Sequence, residues 1–185
     1  MNTPPNDDAS DDLGDTRIQP RFVPVRIEPA IPADVPTICE LIRELAEFER
    51  LLDQFVATED RLRDSLFGAR PHAEVLMARL GNESVGFALF FHSYSTFRAQ
   101  PGIYLEDLYV RPTHRGRGYG KALLSHVARL AVNRGCGRFE WSVLDWNQRA
   151  VDFYKRLGAE PLDGWTMFRV SGAALDHLGK LADGP

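Results

Sequence analysis

The sequence predicts an α/β (α+β) fold in which helices cover both faces of a central mixed, mostly antiparallel sheet. Three observations carry that prediction. Glu74–Leu80 and Ser84–His92 alternate in polarity on either side of Gly81-Asn82-Glu83, the pattern of a hairpin. Ile103–Val110 is an apolar, aromatic and β-branched run interrupted only by Glu106 and Asp107; Pro112 ends it, and three glycines lead into an amphipathic helix. The order after the hairpin is then strand, helix, strand, helix, strand, which suits a sheet layered between helices.

Taken in order, the chain opens on an acidic, Pro- and Asn-rich stretch. Residues 1–20 hold Asp7, Asp8, Asp11, Asp12 and Asp15 against Arg17, which accounts for the whole formal charge of −4. They are expected to be a disordered tail, leaving 21–185 as a single domain close to neutral. Val25–Pro29 reads as the first strand. Asp34 is placed to cap a helix over Pro36–Leu51 with Ile38, Leu41, Ile42, Leu45 and Phe48 as its buried stripe. Thr58–Phe67 is a second helix, capped by Thr58 and ended by Gly68, and Tyr94–Gln100 is an irregular aromatic loop. Behind the glycines, Leu123, Val127 and Leu130 form one helical stripe with Leu124, Ala128 and Ala131 beside it. Arg138–Leu144 is a strand. Asn147 starts a helix with Ala150, Val151, Tyr154 and Leu157 inward, closed by Gly158. Trp165–Val170 is the expected last strand and Leu175–Leu181 a terminal helix.

Composition excludes several classes. A near-neutral domain with a few local arginines argues against nucleic acid as a partner. No apolar run approaches the ~20 residues of a membrane span, and an acidic N-terminus is the opposite of a signal peptide, so a cytoplasmic protein is expected. Cys39 and Cys136 read as buried thiols, and no metal site is expected.

The chain is organised around its glycine corner. Gly116, Gly118 and Gly120 alternate with Arg117 and Tyr119 where a strand hands over to a helix. Backbone N–H groups can converge there on an anion, and the helix dipole favours negative charge at the same point. Arg111, Arg115, Arg117 and Lys121 add full charges, which makes the corner a pyrophosphate cradle. Other phosphate loops fit less well. A Walker loop needs Ser or Thr after its lysine, and Ala122 follows Lys121. The dinucleotide fingerprint needs its first glycine directly after the strand, although Glu140 does lie about twenty residues on. A kinase loop sits between two strands.

Arg115-Gly-Arg-Gly-Tyr-Gly120 after a strand ending Tyr109-Val-Arg-Pro112 resembles the acetyl-CoA loop of the GNAT N-acetyltransferases. Glu44-Leu-Ala-Glu-Phe-Glu49, Tyr104-Leu-Glu-Asp107, Trp146-Asn147, Phe153-Tyr-Lys-Arg156 and Gly164-Trp165 resemble the diamine (spermidine/spermine) acetyltransferase branch. The likeness runs from about Val25 to Leu178. It implies the acyl-CoA N-acyltransferase fold, acetyl-CoA as co-substrate and a small-molecule amine as acceptor. The branch is often dimeric, which implies a homodimer here. Leu108, Tyr109, Val110, Arg115, Gly116, Arg117, Gly118, Tyr119, Gly120, Lys121, Asn147 and Ala150 fall on cofactor-binding positions. Phe48, Glu49, Asp107, Glu140, Trp141, Asp163 and Trp165 fall on the substrate side, where acids and indole faces suit a cation. Tyr154 falls on the general-acid position. The branch usually has tyrosine where Phe48 stands, so one hydroxyl is missing.

Acetyl transfer to an amine poses two proton problems. An alkyl ammonium with a pKa of about 10.4 must lose a proton before it attacks, costing about 4–5 kcal/mol at neutral pH. The departing thiolate must then be stabilised or protonated. A carboxylate, direct or through water, answers the first need and Tyr154 the second. Glu106 and Asp107 are the acids at hand, with Glu106 read as the proton relay and Asp107 as the amine's anchor. Neighbours on a regular strand point to opposite faces, so using both requires a β-bulge near them. That bulge would also splay the strand from Arg138–Leu144 and leave backbone groups free. The expected function is an acetyl-CoA-dependent N-acetyltransferase for a small di- or polyamine or a basic amino acid, by direct attack. A non-catalytic acyl-CoA-binding regulatory module and a protein lysine acetyltransferase are the alternatives.

Overall fold

The computed structural model describes residues 24–183, so the acidic tail expected over residues 1–20 lies outside the described residues. The chain divides into two units, the first ending at Ser142 and the second beginning at Val143.

The first unit is built on a five-stranded sheet in the order β1-β2-β3-β4-β5, comprising β1 (Arg26–Pro29), β2 (Glu74–Leu80), β3 (Glu83–Ser95), β4 (Gln100–Val110) and β5 (Phe139–Trp141). β1 to β4 pair antiparallel, and β5 joins β4 in parallel. The expected hairpin is present and longer than its alternation suggested: β3 runs to Ser95, and only a turn over residues 96–99 separates it from β4. β5 is shorter, three residues in place of Arg138–Leu144.

Helices α1 (Val35–Phe48) and α2 (Glu59–Phe67) pack on one face. Val35, Ile38, Leu41 and Leu45 of α1 and Leu62 and Leu66 of α2 close over Val75, Met77, Phe87 and Tyr109 of the sheet. The i, i+3, i+4 spacing of those aliphatic side chains is what puts them on one stripe. α3 (Tyr119–Asn133) covers the other face through Leu123, Leu124, Val127 and Ala131. Thr58 caps α2 as expected, its hydroxyl accepting from the Arg61 N–H at 3.3 Å. Asp34 does not cap α1 through its side chain. Its carboxylate accepts from the Ile31 N–H at 2.9 Å and from Arg79 at 2.7 Å, pinning the start of α1 to β2. Cys39 and Cys136 are free and half-buried, and burial pushes the Cys39 thiol above its usual range.

The second unit holds α4 (Gln148–Arg156) and α5 (Gly172–Lys180). α4 begins as expected, Asn147 accepting from the Ala150 N–H at 3.3 Å, and ends at Gly158, whose φ of 87° suits only glycine well. Leu157, expected inward, is exposed. The expected last strand is corrected here. Trp165–Val170 forms no strand among the described residues, and Trp165, Met167, Phe168 and Val170 are all exposed. Its pattern is that of a strand, but a strand needs a neighbour's backbone and a surface to bury against. No helix of the described residues is long and apolar enough to cross a membrane.

Candidate active site

The pairing of β3 with β4 slips at one place. Phe90 lies opposite Leu105 and Leu89 opposite Asp107, so Glu106 is the extra residue of a β-bulge. The ladder on the other side stops there too. β5 pairs with Ile103, Tyr104 and Leu105, and beyond them β4 pairs only with β3 among the described residues. The two acids therefore differ. Glu106 is exposed. Asp107 is half-buried, opposite Leu89 and two residues from Tyr109, which places it on the α1 face.

That face carries a second acid. Glu49 caps the end of α1, half-buried, and burial raises its pKa above the carboxylate range. Asp107 is raised further, to about 7, first by burial and then by the charges of Glu106 and Glu49. Desolvation and two like charges act in the same sense. A bound cation would relieve all of them. Arg50, the next residue, takes a left-handed φ of 62° where helices often end on glycine, and this turns the chain away just after Glu49.

The glycine corner lies at the far end of β4. A short turn over Pro112–His114 separates strand from glycines. Gly116 and Gly118 take φ of 79° and 85°, and a Cβ built on either would meet nothing within 4 Å. The backbone is thus open above the loop, as a diphosphate needs. Gly118 is also the N-cap of α3, so the N–H groups of Tyr119, Gly120 and Lys121 have no acceptor within the helix. Arg117 and Lys121 are exposed beside them. The chemistry of this corner fits the phosphates of acetyl-CoA.

Two of the four cations expected there are engaged elsewhere. Arg111 turns to α1, its Nε donating to Glu44 at 3.0 Å and its Nη2 lying 2.9 Å from Glu44 and 3.1 Å from Glu40. Arg115 also turns back. Its Nε donates to the Val110 carbonyl at 2.8 Å, and its guanidinium carbon sits 4.4 Å from the centre of the Phe48 ring and 5.4 Å from that of Tyr109. Burial, with the charge of Glu44 and a hydrogen bond to it, pushes the Tyr109 phenol above its usual range.

Phe48, Glu49, Glu106, Asp107 and Tyr109 are thus brought into one neighbourhood, with Leu108, Val110 and the glycine corner continuing along the chain. Glu140 and Trp141 stand on β5 opposite Tyr104 and Leu105, and Glu140 is paired with Arg138 at 2.8 Å. Within the second unit, Tyr154 is half-buried with its ring 5.2 Å from that of Phe153, Ala150 donates to Asn147, and Asp163 and Trp165 are exposed. Glu44 was not among the expected site residues. Its signal was present: Glu40, Glu44 and Phe48 recur every four residues and so share one face of α1.

Residues 38–159 match the acetyltransferase (GNAT) family. A thialysine N-epsilon-acetyltransferase of Bos taurus is 42% identical over 165 residues, covering 83% of this chain and 96% of its own. An L-ornithine N5-acetyltransferase of Arabidopsis thaliana is 36% identical, covering 84% and 88%. Among solved structures, an integron cassette protein from the mobile metagenome of V. cholerae superposes with a TM-score of 0.72 at 25% identity, over 84% of this chain and 98% of that one.

Proposed function

The chain belongs to the acetyltransferase (GNAT) family and is an N-acetyltransferase, and we propose that its acceptor is the side-chain amine of a small basic amino acid of the thialysine or ornithine kind, or one end of a short diamine. The observation that carries this reading is the acid wall. The charges of Glu106 and Glu49 both bear on the buried Asp107 carboxyl at the end of α1, a setting that favours a compact cation over any neutral acceptor. Relatives named for thialysine and ornithine support the same class, and one named spermidine/spermine N(1)-acetyltransferase-like protein 1 in Homo sapiens, 34% identical, keeps the diamine in it.

Acetyl-CoA supplies the acetyl group as a thioester, with the glycine corner from Arg115 to Lys121 around its phosphates and the open edge of β4 at Leu108–Val110 along its pantetheine arm. The acid wall orients the ammonium and takes its proton. The free amine nitrogen then bonds to the thioester carbonyl carbon, the carbon–sulfur bond breaks, and the Tyr154 hydroxyl donates a proton to the departing sulfur. Asn147 and Ala150 are assigned to the cofactor, and Phe48, Glu140, Trp141, Asp163 and Trp165 to the amine. Glu106, exposed on its bulge, relays the proton outward while Asp107 holds the cation. A second reading makes Asp107 itself the base, favoured by a pKa raised to about 7, where a general base works best near neutrality.

The exposed apolar run from Trp165 to Val170 supports a homodimer, in which a second copy covers it. A cytoplasmic setting and one domain over 21–185 complete the proposal. Turnover with thialysine, ornithine, lysine, spermidine and a lysine peptide, followed by thiol release, tests it. A basic amino acid or diamine leading the series is the expected result. A leading peptide would favour a protein lysine acetyltransferase, and no turnover with any amine would leave a binding module.

A further inference from the structure

Arg115 opens the glycine loop, yet its side chain is not directed along it. The guanidinium is held by the Val110 carbonyl at 2.8 Å and lies within cation–π range of two rings, Phe48 at 4.4 Å and Tyr109 at 5.4 Å. Phe48 is the last residue of α1, and Glu49 follows it. A cation here also sits by the negative end of the α1 dipole. Arg117 and Lys121, by contrast, are exposed on the loop.

We infer that Arg115 is a positioning residue for the amine wall, clamping the end of α1 to the cofactor loop and so coupling acetyl-CoA binding to amine binding. The inference rests on the reading that the amine lies against Phe48 and Glu49. The clamp is geometric. β4 delivers Tyr109 and the Val110 carbonyl, the loop delivers the guanidinium, and α1 delivers the ring that meets it. Arg111 makes a parallel link one turn earlier, from the same stretch of chain to Glu44 and Glu40. Movement of the loop on binding phosphates therefore reaches Phe48 directly. A phosphate ligand would show itself in cofactor affinity; a clamp shows itself in the amine.

The test compares Arg115→Gln, Arg115→Lys, Phe48→Leu, the double variant Arg115→Gln/Phe48→Leu, and Arg117→Gln. The readouts are KM for thialysine, kcat, the Kd of CoA by calorimetry, and Tm as a control on folding. Arg115→Gln should raise the amine KM about threefold to thirtyfold, the range of one cation–π contact, with the CoA Kd moving less than it does in Arg117→Gln. Arg115→Lys, which keeps a cation near the rings, should recover part of the loss, and it carries the test if the glutamine variant unfolds. The double variant should be no worse than Phe48→Leu alone, because both break one clamp. Two results would overturn the inference: Arg115→Gln weakening CoA like Arg117→Gln at unchanged amine KM, or effects of Arg115→Gln and Phe48→Leu that simply multiply. Phe48→Leu leaving the amine KM unmoved would instead overturn the amine-wall reading, and the clamp with it.

Discussion

The glycine corner and the acid wall lie on the same strand, yet they are made by opposite means. At the corner the working groups are backbone N–H donors, Gly116 and Gly118 keep the space above them open, and the flanking Arg117 and Lys121 stand in solvent. At the wall the groups are side chains, of which Asp107 and Glu49 are half-buried and altered by burial: Asp107 is raised to about 7 and Glu49 is raised as well. A phosphate is recognised by geometry that water already tolerates. On the proposed reading, an ammonium is recognised by a site made uncomfortable for its own charges until the ligand arrives.

Predictions that break or sharpen this contrast run from large effects to small. Tyr154→Phe belongs to neither region and should lower kcat about 10–1,000-fold, the scale of one general acid, while both Kd values hold. Stopped-flow thiol release measures it, and near-normal turnover would remove Tyr154 from the chemistry. At the corner, Gly118→Val should weaken acetyl-CoA about 100-fold. Its methyls occupy the open space, and a β-branched residue is strained at a φ of 85°. Calorimetry with CoA that shows unchanged affinity would end the cradle assignment.

At the wall the two acids should separate by pH. If Glu106 is the relay, Glu106→Gln should lose about tenfold or more in kcat near pH 6.5 and regain most of it toward pH 10, where free amine is abundant. If Asp107 is the base, kcat/KM should rise through its pKa of about 7 in the wild type, and Asp107→Asn should abolish that limb. A flat profile in the wild type would remove the Asp107 reading, and a Glu106→Gln profile that runs parallel to wild type at every pH would remove the Glu106 one.

The smallest effect concerns stability. Asp107 has a folded pKa above its unfolded one, so the native state holds its proton more tightly. Its contribution is favourable below about pH 4 and is lost as pH rises through about 7. Asp107→Asn should therefore melt a few degrees above wild type at pH 8, with the gain vanishing near pH 4. An equal change at both pH values would show that packing, not charge, decides it.

The same contrast governs what could be read from the chain alone. Glycines at a strand-to-helix boundary announce their backbone role, so the corner was legible, as were the hairpin, α1 and the cap at Asn147. The wall was half legible. Ile103, Leu105, Asp107 and Tyr109 occur at alternate positions and read as one face of a strand, yet Leu105 pairs with Phe90 and Asp107 with Leu89, on opposite sides of the slip. The chemistry of two adjacent acids called for a bulge near Glu106 and Asp107, and the slip lies there, although alternation alone gave no sign of it. Arg111 and Arg115 were misplaced for a related reason. A sequence shows a charge near a loop and not which way it turns, and Glu44 and Phe48 lie some seventy residues away. Trp165–Val170 has a strand's composition, and composition cannot supply the neighbour that a strand requires.

The bulge has one more consequence, for how such a site changes over generations. Glu106 has no partner across the ladder and no place in the core; its neighbours Leu105 and Asp107 carry the pairing on either side. A substitution at 106 therefore alters what the strand offers a ligand while leaving the sheet's register and packing in place. Most positions in a five-stranded sheet bind reactivity and stability together, so that neither can drift without the other. Here a single unpaired residue uncouples them, and selection can tune the acidity at this point of the strand at little risk to the fold.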